Sequence, residues 1–166
     1  MIKKKIVMLG AFAVGKTSLV QRFVNSIFSD KYHTTIGVKI DQKIVKVDDT
    51  EVTLMLWDLY GDDDFMIVKP TYLYGSSGYF LVADGTRAET LQIAKRLQEM
   101  AEVTTKNAPF ILLINKSDLT EAWEIDPEAI NRLKQSGWQI MLTSAKEDKM
   151  VEEAFSLLTK MMLEIQ

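Results

Sequence analysis

Gly10-Ala11-Phe12-Ala13-Val14-Gly15-Lys16-Thr17 follows directly on the apolar run Ile6-Val7-Met8-Leu9. A strand, then Gly-x-x-x-x-Gly-Lys-Ser/Thr, then a helix is the pattern of a loop that cradles phosphates. The two glycines let the backbone curl so that successive N–H groups point inward and form an anion nest. Lys16 brings a compact cation to the β- and γ-phosphates, and the Thr17 hydroxyl is suited to ligating Mg²⁺. A helix beginning here adds its positive N-terminal end to the same charge. The stretch therefore implies a bound nucleotide, with Ala13, Val14, Gly15, Lys16, Thr17 and Ser18 as its phosphate contacts.

Outward from that loop, composition sets the frame. With 166 residues, 47% hydrophobic and 26% charged, the chain is long enough for one domain with a substantial core, expected to span 1–166. A net charge of −3 leaves no basic stripe to release counterions, which argues against nucleic acid as a partner. The one basic cluster, Lys3-Lys4-Lys5, is expected to solvate the start of the first strand. No cysteine is present, so disulfides, thiolate chemistry and lipidation on Cys are excluded. The N-terminus shows no signal-peptide cleavage pattern, and no apolar run reaches the length of a membrane span. The expected location is cytoplasmic.

Strands and helices alternate along the chain. Strands are expected at Lys3–Leu9, Val38–Val47, Glu51–Asp58, Gly78–Ala83, Pro109–Ile114 and Trp138–Leu142. Helices are expected at Lys16–Asn25, Thr90–Val103, from Asp126-Pro127-Glu128 to Gly137, and at Met150–Ile165. The spacing of the second and third strands around Asp48-Asp49-Thr50 suits an antiparallel hairpin. Ser26–Gly37 and Leu59–Gly75 read as irregular, the latter with a short helix in its middle. This order predicts an α/β fold in three layers: a mostly parallel six-stranded sheet with one antiparallel edge strand and helices on both faces.

Such a sheet binds ligands in the crevice at the carboxyl ends of its strands, and the remaining chemistry-bearing residues fall at those ends. Asp58 closes the third strand and begins Asp58-Leu59-Tyr60-Gly61. A carboxylate there is placed to hold Mg²⁺ through water, and the Gly61 N–H can approach a γ-phosphate closely. Asn115-Lys116-Ser117-Asp118 follows the fifth strand. Asp118 matches the adjacent N1–H and exocyclic amino donors of guanine; adenine cannot offer that pair and would strand the carboxylate. Ser144-Ala145-Lys146 follows the last strand and is placed to bring a backbone N–H to the guanine O6, with Asn115 bracing the two loops and the Lys116 stem covering a face of the base.

Taken in order, Gly10–Thr17, Thr35, Asp58–Gly61, Asn115–Asp118 and Ser144–Lys146 resemble the Ras-like small GTPases over essentially the whole chain, and Thr35-Ile36-Gly37 is most similar to the Rab branch. The resemblance implies a GTP/GDP switch that requires Mg²⁺, with Thr17 and Thr35 as ligands and Asp58 behind them. It further implies Phe28 against the guanine, Asp30 near the ribose and Tyr32 folding over the phosphates. Lys16, Thr35, Gly61 and the residue after it, Asp62, then stand where the chemistry occurs. Effectors and regulators are expected to read the two switch regions, 28–38 and 59–75.

Three positions depart from the family pattern. Asp62, followed by Asp63 and Asp64, stands where the family has Gln to orient the attacking water. A carboxylate cannot donate a hydrogen bond to developing phosphoryl charge and adds negative charge beside it, so slow hydrolysis is expected. Phe12 replaces a small residue and is expected to project over the phosphates where an activator's arginine would enter, with an aromatic pair Phe12–Tyr60 as one arrangement over the nucleotide and simple packing on the second loop as the other. The chain also ends at Gln166 without a Cys-bearing tail, so no lipid anchor of its own is expected. A GTP-binding module with negligible hydrolysis is the nearest alternative, and a phosphate-loop ATPase or kinase a more distant one that Asp118 disfavours. His33 reads as a solvated loop residue, the nine methionines as core and helix-face filling, Trp57 as packing beneath the second switch, and Trp123 as a loop residue without chemical company.

Overall fold

Ile6, Val7, Met8 and Leu9 form an unbroken apolar run because their strand is covered on both faces. In the computed structural model, which describes residues 1–29, 37–59 and 68–165, this run lies within β1 (Ile2–Gly10). Ile6 and Met8 face one side of the sheet, Val7 and Leu9 the other, as the two-residue period of a strand requires. The other strands are β2 (Val38–Val47), β3 (Thr50–Leu59), β4 (Gly78–Asp84), β5 (Phe110–Asn115) and β6 (Ile140–Leu142). They form one six-stranded sheet in the order β2-β3-β1-β4-β5-β6, parallel throughout except for β2 against β3. The expected α/β architecture is the one observed.

Helices cover both faces. α1 (Lys16–Asn25) and α4 (Val151–Glu164) bury Leu19, Val20, Phe23, Val151, Phe155 and Leu158 against Ile6 and Met8. Phe155 binds this layer together, stacked on Phe23 at 3.9 Å and edge-on to Phe80 at 4.8 Å. On the opposite face α2 (Glu89–Thr104) buries Leu91, Ala94, Leu97 and Ala101 against Val7 and Leu9, while α3 (Pro127–Gln135) lies further out and buries no residue fully. The Asp126 side chain accepts from the Glu128 N–H at 3.0 Å with Pro127 at the first helical position, the N-cap chemistry that its sequence implies.

Several local expectations change. The β2–β3 turn uses only Asp48 and Asp49, with φ of 47° and 67°, and Thr50 already pairs with Val47; two consecutive left-handed residues match the right-handed twist of the hairpin. β6 begins at Ile140 because the Trp138 N–H turns back to the Leu133 carbonyl and closes α3 instead. In the second irregular segment a 3₁₀ turn at Pro70–Leu73 is seen, and residues 60–67 lie outside the described part. Lys5 is not a solvated strand-start residue. Its ammonium lies 3.7 Å from the Trp57 ring centroid and donates to the Tyr74 carbonyl at 2.8 Å. Trp123 does have company, covering Gly85 so closely that any Cβ there would collide with the indole. No helix among the described residues is long and apolar enough to cross a membrane.

The chain leaves β1 toward β3 on one side and returns to β4 on the other, so the order reverses at β1. The carboxyl ends of β1, β3, β4 and β5 therefore bring Gly10, Asp58, Asp84 and Asn115 to one edge of the sheet.

Candidate functional site

The turn from β1 into α1 needs its glycines for stated reasons. Gly15 has φ 103°, and a Cβ there would collide with the Asn115 amide; at Gly10 a Cβ would lie 2.5 Å from the Val82 carbonyl oxygen. Ala13 takes up a left-handed φ of 64° without being glycine. α1 begins at Lys16 with no side-chain cap and no acidic residue in its first turn, so no capping side chain competes with an anion at its positive end. The buried Lys16 ammonium donates to the carbonyls of Gly10 at 2.8 Å and Ala11 at 3.1 Å. Burial pushes its pKa down to about 8 against the pull of the Asp58 carboxylate, with Arg87 adding a further push downward. A buried ammonium under that strain is stabilised by any phosphate placed beside it.

Asp58, at the end of β3, is 1% exposed and accepts from the Thr17 hydroxyl at 2.7 Å. A hydroxyl and a buried carboxylate side by side, next to an anion cradle, form the oxygen donor set that suits a hard cation held between protein and phosphate. Thr17 and Asp58 are thus together as expected, while the third expected ligand, Thr35, lies outside the described residues.

The loops that follow β5 and β6 meet at Asn115. Its amide nitrogen donates to the Val14 carbonyl at 3.1 Å, and its oxygen accepts from the Thr143 hydroxyl at 3.2 Å and the Ala145 N–H at 3.3 Å. One buried amide thereby ties the phosphate loop to the segment after β6. Asp118 accepts from the Ser144 hydroxyl at 2.8 Å, and that same hydroxyl oxygen accepts from the Glu147 N–H at 3.0 Å. Ser144 therefore orients the carboxylate, a role beyond the backbone contribution expected of its loop. Lys116 lies across this side of the site, donating to the Ala13 carbonyl at 3.1 Å, with its stem half-buried. Phe28 is half-buried against the cluster that contains Ala145. Lys146 is exposed, and its carbonyl accepts from Arg22.

Three supporting residues were missed from the sequence. Arg22 of α1 donates to the Ala145 and Lys146 carbonyls at 2.8 and 2.9 Å, fixing the last loop to the helix that begins at the phosphates. Asp84, 1% exposed at the end of β4, pairs with Lys116 at 2.8 Å and Arg87 at 3.1 Å and accepts from the Thr86 N–H and hydroxyl. Burial alone would raise the Asp84 pKa; hydrogen bonds from Lys116 and Thr86, with the Lys116 charge, outweigh it and hold the carboxyl below its usual range. Asp84 ends a parallel strand as Asp58 and Asn115 do, and that position is the signal that pointed to it. Arg87 and Arg22 carried no signal of their own. Asp30, Tyr32, Tyr60, Gly61 and Asp62 lie outside the described residues, as does His33. Phe12 is half-buried, and its carbonyl accepts from Arg87 at 2.7 Å.

Residues 5–164 match the model of the Ras family. The Ras-related protein Rab-32C of Dictyostelium discoideum is 36% identical over 167 residues, covering 98% of this chain and 75% of that protein. The Ras-related protein Rab-1 of Theileria parva is 34% identical over 159 residues, covering 94% and 72%. The Ras-related protein Rab-7L1 of Homo sapiens is 34% identical over 169 residues, covering 96% and 82%.

Proposed function

The chain belongs to the Ras family, on its Rab-like branch, and from that premise we propose how its own residues bind guanine nucleotide and that it turns GTP over slowly. It is a guanine-nucleotide-binding switch and a GTPase, and it works through regulators and effectors in the general manner of its family. The residue-level reading rests on one observation above others: the Asn115 amide joined at once to Val14 and to Ala145. That link supports a single pocket in which phosphates and base are read together. Ala13, Val14, Gly15, Lys16, Thr17 and Ser18 hold the phosphates. Lys116 covers the base with Phe28 nearby, Asp118 accepts the guanine N–H pair, and Ala145 donates toward the O6. Asp30 and Tyr32 complete the ribose and phosphate side.

Mg²⁺ is included in this proposal, with Thr17 and Thr35 as its ligands and Asp58 holding the Thr17 hydroxyl in place. When bound, the ion would offset negative charge on the terminal phosphates. Lys16, whose pKa of about 8 leaves it charged at neutral pH, adds its own cation there.

Slow hydrolysis follows from Asp62 beside Gly61. Its carboxylate can accept from water but cannot donate to the phosphoryl oxygens, and its charge opposes theirs. We expect Asp62→Gln to raise the single-turnover rate of GTP hydrolysis by at least about tenfold, a modest share of what a positioned water-orienting group supplies. An unchanged rate would mean that Asp62 does not act at the water. Partners are proposed to bind across 28–38 and 59–75. The adjoining edge strand supports this, since Ile40 is 48% exposed and is paired in register with Trp57.

A further inference from the structure

Three successive carbonyls of the phosphate loop are each held by a side chain from another part of the chain. The Phe12 carbonyl accepts from Arg87 at 2.7 Å, that of Ala13 from Lys116 at 3.1 Å, and that of Val14 from Asn115 at 3.1 Å. In a planar trans peptide the C=O of one residue points opposite to the N–H of the next. Pinning the carbonyls of Phe12, Ala13 and Val14 outward therefore turns the N–H groups of Ala13, Val14 and Gly15 the other way, as a phosphate nest requires. Two of the three pins come from the Asn115–Asp118 run; Arg87 belongs to no motif.

We propose that Arg87 is a positioning residue for the nucleotide's phosphates, acting through the Phe12 carbonyl to aim the first amide of the nest. This rests on the guanine-nucleotide reading above. The residue is built for the task. Its Nε bonds the buried Asp84 carboxylate oxygen at 3.1 Å, and the same oxygen takes Lys116 at 2.8 Å. One carboxylate thus sets the two cations that hold adjacent carbonyls of the loop. The backbone carrying Arg87 is fixed as well. The Arg87 N–H donates to the Asp84 carbonyl, the Arg87 carbonyl accepts from the Thr90 hydroxyl at 2.7 Å, and the Ala88 N–H donates to Glu124 at 3.1 Å. The Gly85 N–H donates to the Asn115 carbonyl, and Trp123 packs on Gly85. The Arg87 charge also reaches the Lys16 ammonium, which places it in the electrostatic field of the phosphate pocket.

The test compares Mg²⁺-dependent affinities for GDP and GMP in the full chain, because a misaimed nest weakens phosphate contacts and leaves base contacts alone. Arg87→Met is expected to lower the GDP-to-GMP affinity ratio by about tenfold, the loss typical of one charge-assisted hydrogen bond. Arg87→Lys keeps the charge but cannot bridge Asp84 and Phe12 together, and it is expected to recover less than half of the lost ratio. An unchanged ratio in Arg87→Met, including an equal fall for both ligands, would overturn the proposal. So would recovery of half or more in Arg87→Lys, since charge alone would then suffice. A wild-type chain that binds neither nucleotide would overturn the guanine reading itself, and this proposal with it.

Discussion

Lys16 carries the most testable charge in the molecule. Its ammonium is buried, its ordinary pKa of 10.5 is lowered to about 8, and main-chain carbonyls accept its hydrogen bonds. Bound phosphates favour the charged form and raise that pKa again. The sign follows directly. Below about pH 8 Lys16 is protonated with or without ligand, and binding takes up no proton at this group. Above it, binding must recruit one, so nucleotide affinity is expected to fall by up to about tenfold per pH unit between pH 8 and 10. The stability of the free fold moves oppositely: the penalty of the buried charge is present below pH 8 and is relieved as pH rises toward 10.5. Calorimetry at pH 8.5 in buffers of different ionisation heat reads the proton directly; no uptake would contradict the assignment. Asp118 gives a second test at this scale. Its carboxylate, aimed by Ser144 at 2.8 Å, is proposed to accept from guanine. Asp118→Ala is expected to weaken GDP at least about tenfold and to leave ADP unchanged in a competition assay; equal loss for both bases would mean that it does not read guanine.

Among the elements, the α1–α4 layer is the one whose integrity the site depends on, because α1 begins at Lys16 and α4 follows the Ser144–Lys146 loop. Phe155 of α4 joins the two helices through Phe23 and reaches the sheet through Phe80. Removing so large a ring from a fully buried position is expected to cost about 3–5 kcal/mol by denaturant unfolding; a cost below about 1 kcal/mol would mean that this layer repacks without it. The elements were readable because burial on both faces writes continuous apolar runs in β1, β4 and β5, and an Asp-Pro-Glu start writes α3. What was unreadable depended on contacts distant in sequence. Lys5 reads as one of three solvated lysines until Trp57 and Tyr74 are brought to it. Trp123 has no visible partner until β4 delivers Gly85. Trp138 is the local exception, reading as strand although its N–H is taken by the Leu133 carbonyl at the end of α3.

At the scale of the whole molecule, one topological fact organises the rest. The strand order reverses at β1, and parallel neighbours bring Gly10, Asp58, Asp84 and Asn115 to the same edge. Most of the candidate site's described residues were legible for that reason, since a residue at the carboxyl end of a parallel strand can be located from sequence alone. Arg22 and Arg87 were not, because Arg22 lies along α1 and Arg87 in the turn before α2, and each acts on carbonyls far along the chain. The resulting network joins the phosphate loop to the loops after β5 and β6 through Asn115, so one connected structure is proposed to read both halves of a guanine nucleotide. The measurement that tests this most directly is competition between GDP and ADP, each with Mg²⁺, for the purified chain stripped of nucleotide. The account predicts that GDP binds at least a hundredfold more tightly, the margin expected when a buried polar group is left unpaired by the wrong base. ADP binding within a few fold of GDP, or no binding of either, would contradict it.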